Sequence, residues 1–389
     1  MKYWFGYLTA GIFGAITWVL MLFGERFATL VDMVYPYVIR TMQTYLAQWT
    51  SVVDFPVWQL LAVVLGVLVV ASFVLMVALK WNPIQWAGWV IAVFAGIYLL
   101  HTLAWGLNYY AGPLAEDMRL ETGSYNLEEM TEACEYYRDK ANDLASRVNR
   151  DANANVKFQD FDTLAQIAGE GFDTLTYDYH YPIFAGCKTP VKQLGWADLY
   201  TSMGITGVTF GLTGAAAVNP QIPDVTLPFT IAHEMAHRMC IASERDANFA
   251  AFLACSVHSD IEYQYSAYFM AYRYCYNALA SVNDPSAAAA AARVKSGASY
   301  MLQQDMDHYS AFFRSKKDDF ATNVADTVND TYLKVSGEGS GIASYGQVCV
   351  LLVNWHIQTV VLPSITVEDS HFDPYDVNQI DLSGIVNAR

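Results

Sequence analysis

Charge is what the first part of this chain has least of. Residues 3–24, 55–79 and 81–115 contain no Asp, Glu, Lys or Arg. Each run is long enough to cross a ~30 Å hydrocarbon layer as a helix, which excludes a water-soluble N-terminal domain. Spans are expected near residues 4–23, 57–79 and 84–105. No A-x-A-like site follows the first, which argues against a cleaved signal peptide. Basic residues are scarce throughout: the 389 residues include 22 Lys and Arg against 38 Asp and Glu, a net charge of −16. Residues 106–389 hold 18 of the basic and 35 of the acidic residues, so no nucleic-acid partner is expected. The six cysteines form no CxxC pair, so neither a zinc knuckle nor a disulfide framework is indicated. The glycines build no GxGxxG or phosphate loop.

Histidine is also sparse, with eight in the chain, yet two of them meet in His233-Glu234-Met235-Ala236-His237. Residues four apart on a helix lie one turn above each other, so His233 and His237 present two imidazoles spaced to grip one Zn2+ ion. Glu234 falls beside them. Its carboxylate is placed to take a proton from a water at the metal, the division of labour in HExxH hydrolases. Asp224 or Thr226 is expected to cap this helix, and Pro228 falls in the first turn, where its missing N–H costs nothing.

A catalytic zinc site takes three protein ligands and keeps one position open. Glu244, seven residues after His237, opens a second helix after a turn near Cys240–Ala242, and it ranks first as third ligand. Asp246, which points off that face, ranks second and His258 third. Serine at 243 and cysteine at 240 disfavour the HExxHxxGxxH class.

The remaining pattern supplies a mainly α fold: three transmembrane helices (residues 1–105), then an α-rich domain (106–389) with a small β-sheet or hairpin. Residues 25–55 carry Tyr35, Tyr37, Met42, Tyr45, Leu46 and Trp49 at helical spacing. They suit an interfacial segment at headgroup level, or equally a face buried on the domain. The short turn Lys80–Pro83 predicts that spans two and three pair tightly. Amphipathic periodicity predicts helices over 127–148 and 158–179. The run 204–219 alternates Val208, Phe210 and Leu212 with Thr209, Gly211 and Thr213, the period of a strand. Its edge is placed to bind a substrate backbone by strand addition, the bland alternative being a structural hairpin. Helices are expected over 250–257, 262–282, 285–295, 300–314, 319–335 and 344–362. The uncharged stretch 339–367 reads as a domain helix rather than a fourth span because it carries Gln347, Asn354, His356 and Gln358.

Trp105-Gly106-Leu107-Asn108-Tyr109-Tyr110, the segment Pro228–His237, Glu244–Phe249, Asn329–Lys334 and Ser344-Tyr345-Gly346 carry a resemblance. With them the chain resembles, over nearly its whole length, a bacterial family of three-span membrane proteins catalogued only as a domain of unknown function. The resemblance implies a zincin-like, gluzincin-type domain, in which Glu244 of an E-x-x-x-N segment matches the third-ligand motif of membrane-associated zinc endopeptidases. By family position Tyr332 and Tyr345 become candidates to stabilise an oxyanion. Cys240 stands where glycine is expected, and the strand lacks an acidic residue near Gly214.

Together these point to a zinc metallopeptidase anchored in a lipid bilayer, acting on a peptide or protein substrate, with Glu234 as general base. The competing reading is a non-catalytic scaffold whose zinc staples two helices. The short N-terminal tail and the acidic, Lys-poor domain favour an extracytoplasmic position for residues 106–389, although the positive-inside count is nearly a tie.

Overall fold

A computed structural model describes residues 2–186, 188–316, 319–336 and 344–362. The chain begins with α1 (Phe5–Leu22), α2 (Ala28–Val34), α3 (Arg40–Thr50), α4 (Val57–Ala78) and α5 (Pro83–Ala104). Helices α1, α4 and α5 are long and apolar enough to cross a membrane. Helix α5 is opened by Asn82, whose side chain accepts from Gln85 N, with Pro83 in the first turn.

The pairing of spans differs from the expectation set by the short 80–83 turn. Helix α5 packs along α1, not mainly along α4. Glycine is the cause: a Cβ on Gly6 would lie 2.4 Å from the carbonyl carbon of Gly88, so the two backbones touch as small-residue helix pairs do in bilayers. Helix α4 meets α5 chiefly near its far end, where Trp86 Nε1 donates to Ser72 Oγ at 3.1 Å.

Residues 28–50 present two different faces. One face exposes Met33, Tyr37, Tyr45 and Trp49, the last 72 % exposed. The other is bonded to the domain: Arg40 donates to Ala185 O at 3.2 Å and Gln43 to Gly211 O at 2.7 Å.

The domain continues through α6 (Leu114–Asp117), α7 (Leu127–Ala145), α8 (Phe161–Ile167) and α9 (Gly169–Tyr177). A capping box of Asn126 and Glu129 starts α7. The single helix expected over 158–179 is two, divided at Ala168. On α9, a Cβ at Gly171 would sit 2.1 Å from Ala254 O, so only glycine admits this approach.

Next come β1 (Lys192–Gln193), α10 (Ala197–Ser202), β2 (Gly207–Phe210) and β3 (Ala215–Val218). The sheet order is β1-β3-β2, with β2 antiparallel to β3 in the register Gly207↔Val218 to Phe210↔Ala215. The alternating run is thus an antiparallel hairpin, turning at Gly214 with φ 63°, a conformation open to glycine. The β1 partner was not legible at two residues' length. Among the described residues, β2 is an edge strand with one side unpaired in the sheet.

The core is formed by α7 with α11 (Leu227–Arg238), α12 (Glu244–Ser256), α13 (Ile261–Ser281), α14 (Pro285–Ser296), α15 (Tyr300–Lys316) and, after α16 (Asp319–Ser336), α17 (Ser344–His356). Ile231, Met235, Phe249, Leu253, Tyr263, Phe269 and Leu352 are fully enclosed. Each such side chain contributes about 1.5–3 kcal/mol by burial. Tyr137 of α7 donates to Leu352 O at 2.8 Å. Helix α17 is therefore a core helix, as its polar residues indicated: Asn354 accepts from Gly123 N at 3.1 Å and Gln358 from Glu121 N at 3.2 Å.

Candidate metal centre

Helix α11 carries the HExxH residues, and nearly all of it is buried. Pro228 stands in its first turn, as the sequence suggested. The proposed caps do otherwise: the Asp224 carboxylate accepts from Phe158 N at 3.1 Å and the Thr226 hydroxyl donates to Pro223 O at 2.9 Å. A short 3-10 turn over Asp224–Thr226 leads into the helix instead. The helix ends at Cys240, whose φ of 71° is left-handed. That is the conformation in which helix ends usually place glycine, at a cost of roughly 1–2 kcal/mol for another residue. The turn so made brings α12 back across α11.

Its first residue then faces the two imidazoles. Glu244 Oε2 lies 3.3 Å from His233 Nε2, and Glu244 Oε1 lies 3.6 Å from His237 Nε2. One ligand atom from each of the three residues falls within 4.8 Å of the others. Asp246 points elsewhere, accepting from Leu114 N at 3.1 Å and Arg245 Nε at 2.8 Å. His258 is engaged at both nitrogens, with Ile167 O at 3.0 Å and Asp260 N at 2.9 Å. Glu244 is thus the carboxylate that the fold brings to the two histidines.

The donor set fits zinc on two further observations. His237 Nδ1 lies 2.8 Å from Ile241 O; as a donor to that carbonyl it leaves Nε2 bare for a metal, the usual support of a zinc-binding imidazole. Glu244 Oε2, buried and 3.3 Å from His233 Nε2, makes no well-formed hydrogen bond among the described residues, and a cation between the two would satisfy it. Two histidines and one carboxylate are donor types that zinc takes.

Charge within this cluster is strongly coupled. Burial opposes a charge on His237, but Glu244 and Glu234 override it and its pKa rises to about 9. Burial likewise opposes charge on Glu244, and the facing imidazoles override it, holding that carboxyl well below the usual carboxylate range.

Glu234 is 4 % exposed and outside the triad. Burial pushes its pKa up, against the pull of His233, His237 and the Thr209 hydroxyl. Thr209 of β2 lies over it, and a Cβ on Gly207 would come within 2.3 Å of Glu234 Oε1. The face of β2 that carries Gly207 and Thr209 is therefore in direct contact with the carboxylate. Thr209 and Gly207 went unrecognised as site residues from sequence, although both stand in the alternating run.

The ends of the apolar helices complete the surroundings. Trp105, immediately after α5, is buried with its ring 6.2 Å from that of His237, edge to face. Tyr274 of α13 donates to Asn248 Oδ1 at 3.0 Å, holding the last residue of the E-x-x-x-N segment. Among 26 tyrosines nothing in the sequence singles Tyr274 out. Tyr332 and Tyr345 fall on α16 and α17, and their side chains lie outside the described residues.

A family model described as Protein of unknown function (DUF3810) matches residues 31–353. No curated protein and no solved structure matches the chain.

Proposed function

The chain belongs to the DUF3810 family of proteins of unknown function, and we propose that it is a membrane-anchored zinc metallopeptidase with a zincin-like, gluzincin-type domain. The observation that carries this reading is Glu234: a buried carboxylate beside the cluster of His233, His237 and Glu244 but not one of its three residues, bonded to Thr209 of β2. A site that only staples helices has no use for it.

His233, His237 and Glu244 would hold the ion. Bound there, zinc would lower the pKa of a water at its open position to about 7 and polarise a substrate carbonyl. Glu234 accepts the proton released from the attacking water and returns it to the leaving amine. Thr209 occupies Oε2, so Oε1, beside Gly207, is the oxygen left for the transfer. Burial raises the proton affinity of this carboxyl, which suits a base that must take up a proton near neutral pH. The unpaired edge of β2 aligns the substrate backbone by strand addition. Tyr332 and Tyr345 are retained as candidates for the oxyanion. The acidic, Lys-poor composition of residues 106–389 favours the extracytoplasmic face for the domain.

The deciding experiment uses the full-length protein in detergent, wild type against Glu234→Gln. Both should hold about one zinc per chain, and only the wild type should cleave a peptide library, with the variant slower by roughly 10²-fold or more. Equal zinc content with no cleavage by wild type would favour the scaffold. Loss of zinc from the variant would move Glu234 into the ligand set.

A further inference from the structure

The site sits unusually close to the ends of the apolar helices, and the contacts that put it there are specific. Phe210, the last residue of β2, lies between Trp58 in the first turn of α4 (ring centroids 5.9 Å apart) and His101 in the last turn of α5 (6.0 Å, stacked at 17°). Gly211 follows, so close to Trp105 that a Cβ would come within 2.6 Å of that residue's Cβ. The Gln43 amide of α3 donates to Gly211 O at 2.7 Å and Ala104 O at 3.3 Å, joining the end of β2 to the end of α5. Gln59 of α4 exchanges bonds with Gly195, at 3.1 Å in each direction. No flexible tether separates the domain from these helices.

From Phe210 to Gly207, where β2 meets Glu234, is three residues, about 10 Å of strand. If α4 and α5 cross the bilayer, a peptide on that edge lies within roughly 10–15 Å of the hydrocarbon boundary. At ~3.3 Å per extended residue, this is about three to five residues from the end of a span. The exposed aromatics of 33–49 stand on the same end of the helix bundle, where Trp and Tyr anchor in headgroups. They would keep the domain from tilting away.

We infer that the substrates are other membrane-anchored proteins, cut in the extended segment within about five residues of where they leave the bilayer. This rests on the metallopeptidase reading and names its substrate class. Chains reaching the site from solution must approach past the headgroups, whereas a juxtamembrane segment is held at that height by its own span. Anchoring also raises its local concentration, as any tether does.

The test reconstitutes the full-length protein in phosphatidylcholine vesicles with single-span reporters. They carry one cleavable sequence either about three or about twenty residues from the span (~10 or ~65 Å of extended chain), beside the same sequence as a soluble peptide. The near reporter should be cut at least about tenfold faster than the far one, although both share the membrane. In Glu234→Gln, a photo-crosslinking residue at the near position should label β2, and one at the far position should not. Equal cutting of near and far reporters, or preference for the soluble peptide, overturns the inference while leaving the peptidase standing. Near-position crosslinking without cleavage by wild type overturns the peptidase and keeps β2 as a docking edge for such segments. Neither crosslinking nor cleavage overturns both.

Discussion

The Thr209 hydroxyl lies 2.7 Å from Glu234 Oε2 and 3.0 Å from Glu234 O, so β2 and the carboxylate are held together by one side chain. A hydrogen bond to a charged group is worth about 1.5–3 kcal/mol. Thr209→Val keeps the shape and removes the donor. It should lower kcat by about tenfold to a hundredfold while zinc content stays at wild-type level, and Thr209→Ser should restore most of the rate. Unchanged kcat in the valine variant would show that Glu234 does not need this partner.

The ligand assignment makes Glu244 and Asp246 behave differently. His233→Ala, His237→Ala and Glu244→Gln should each lose zinc on dialysis. Asp246→Asn should retain it, because that carboxylate is spent on Leu114 N and Arg245. Elemental analysis of the purified variants checks this, and a zinc-free Asp246→Asn would reverse the assignment.

Acidity should act on the site with a definite sign. Without metal, His237 titrates at about 9, above its unfolded value near 6.5. Its contribution to stability is full below about 6.5 and is lost as pH rises through about 9. Glu244, depressed in the fold, contributes above its unfolded value, about 4.3, and loses that contribution as pH falls further. The metal-stripped protein should thus be most stable between about pH 4.5 and 6.5. Zinc requires the neutral imidazole, so its affinity should rise by about tenfold per pH unit between pH 7 and 9. Melting curves of stripped protein and competitive zinc titrations at pH 6, 7, 8 and 9 measure both; affinity independent of pH would contradict the coupling.

The clustering of His233 and His237 could be read from spacing because a helix converts four residues into one turn. Glu244 was rankable above Asp246 for the same reason, once the turn at Cys240 was granted. The spans and the helices after residue 250 were legible because long periodic or charge-free runs leave few alternatives. What periodicity does not encode is who touches whom across the chain. Gly6 and Gly88 choose the partner of α5 through a backbone approach that no pattern in either helix announces. Asp224 looked like a cap because its position was right, but the Phe158 N–H, 66 residues away, takes its carboxylate. Gln43 was one polar residue in an aromatic segment, and its role exists only where α3, α5 and β2 meet.

That Gln43 amide, bonded to both Ala104 O and Gly211 O, ties the ripening of the site to delivery into the bilayer. The strand that bears on Glu234 ends at Phe210, and Phe210 is seated on Trp58 and His101, so a chain whose α4 and α5 are not in place lacks the rings that hold this end of β2. Residues 106–389 produced alone, although they contain every ligand, should unfold less cooperatively and hold zinc more weakly than the whole chain. Calorimetry and zinc titration of that fragment would show otherwise if the domain were self-sufficient. A newly made copy would then complete its site only once α4 and α5 had taken their places.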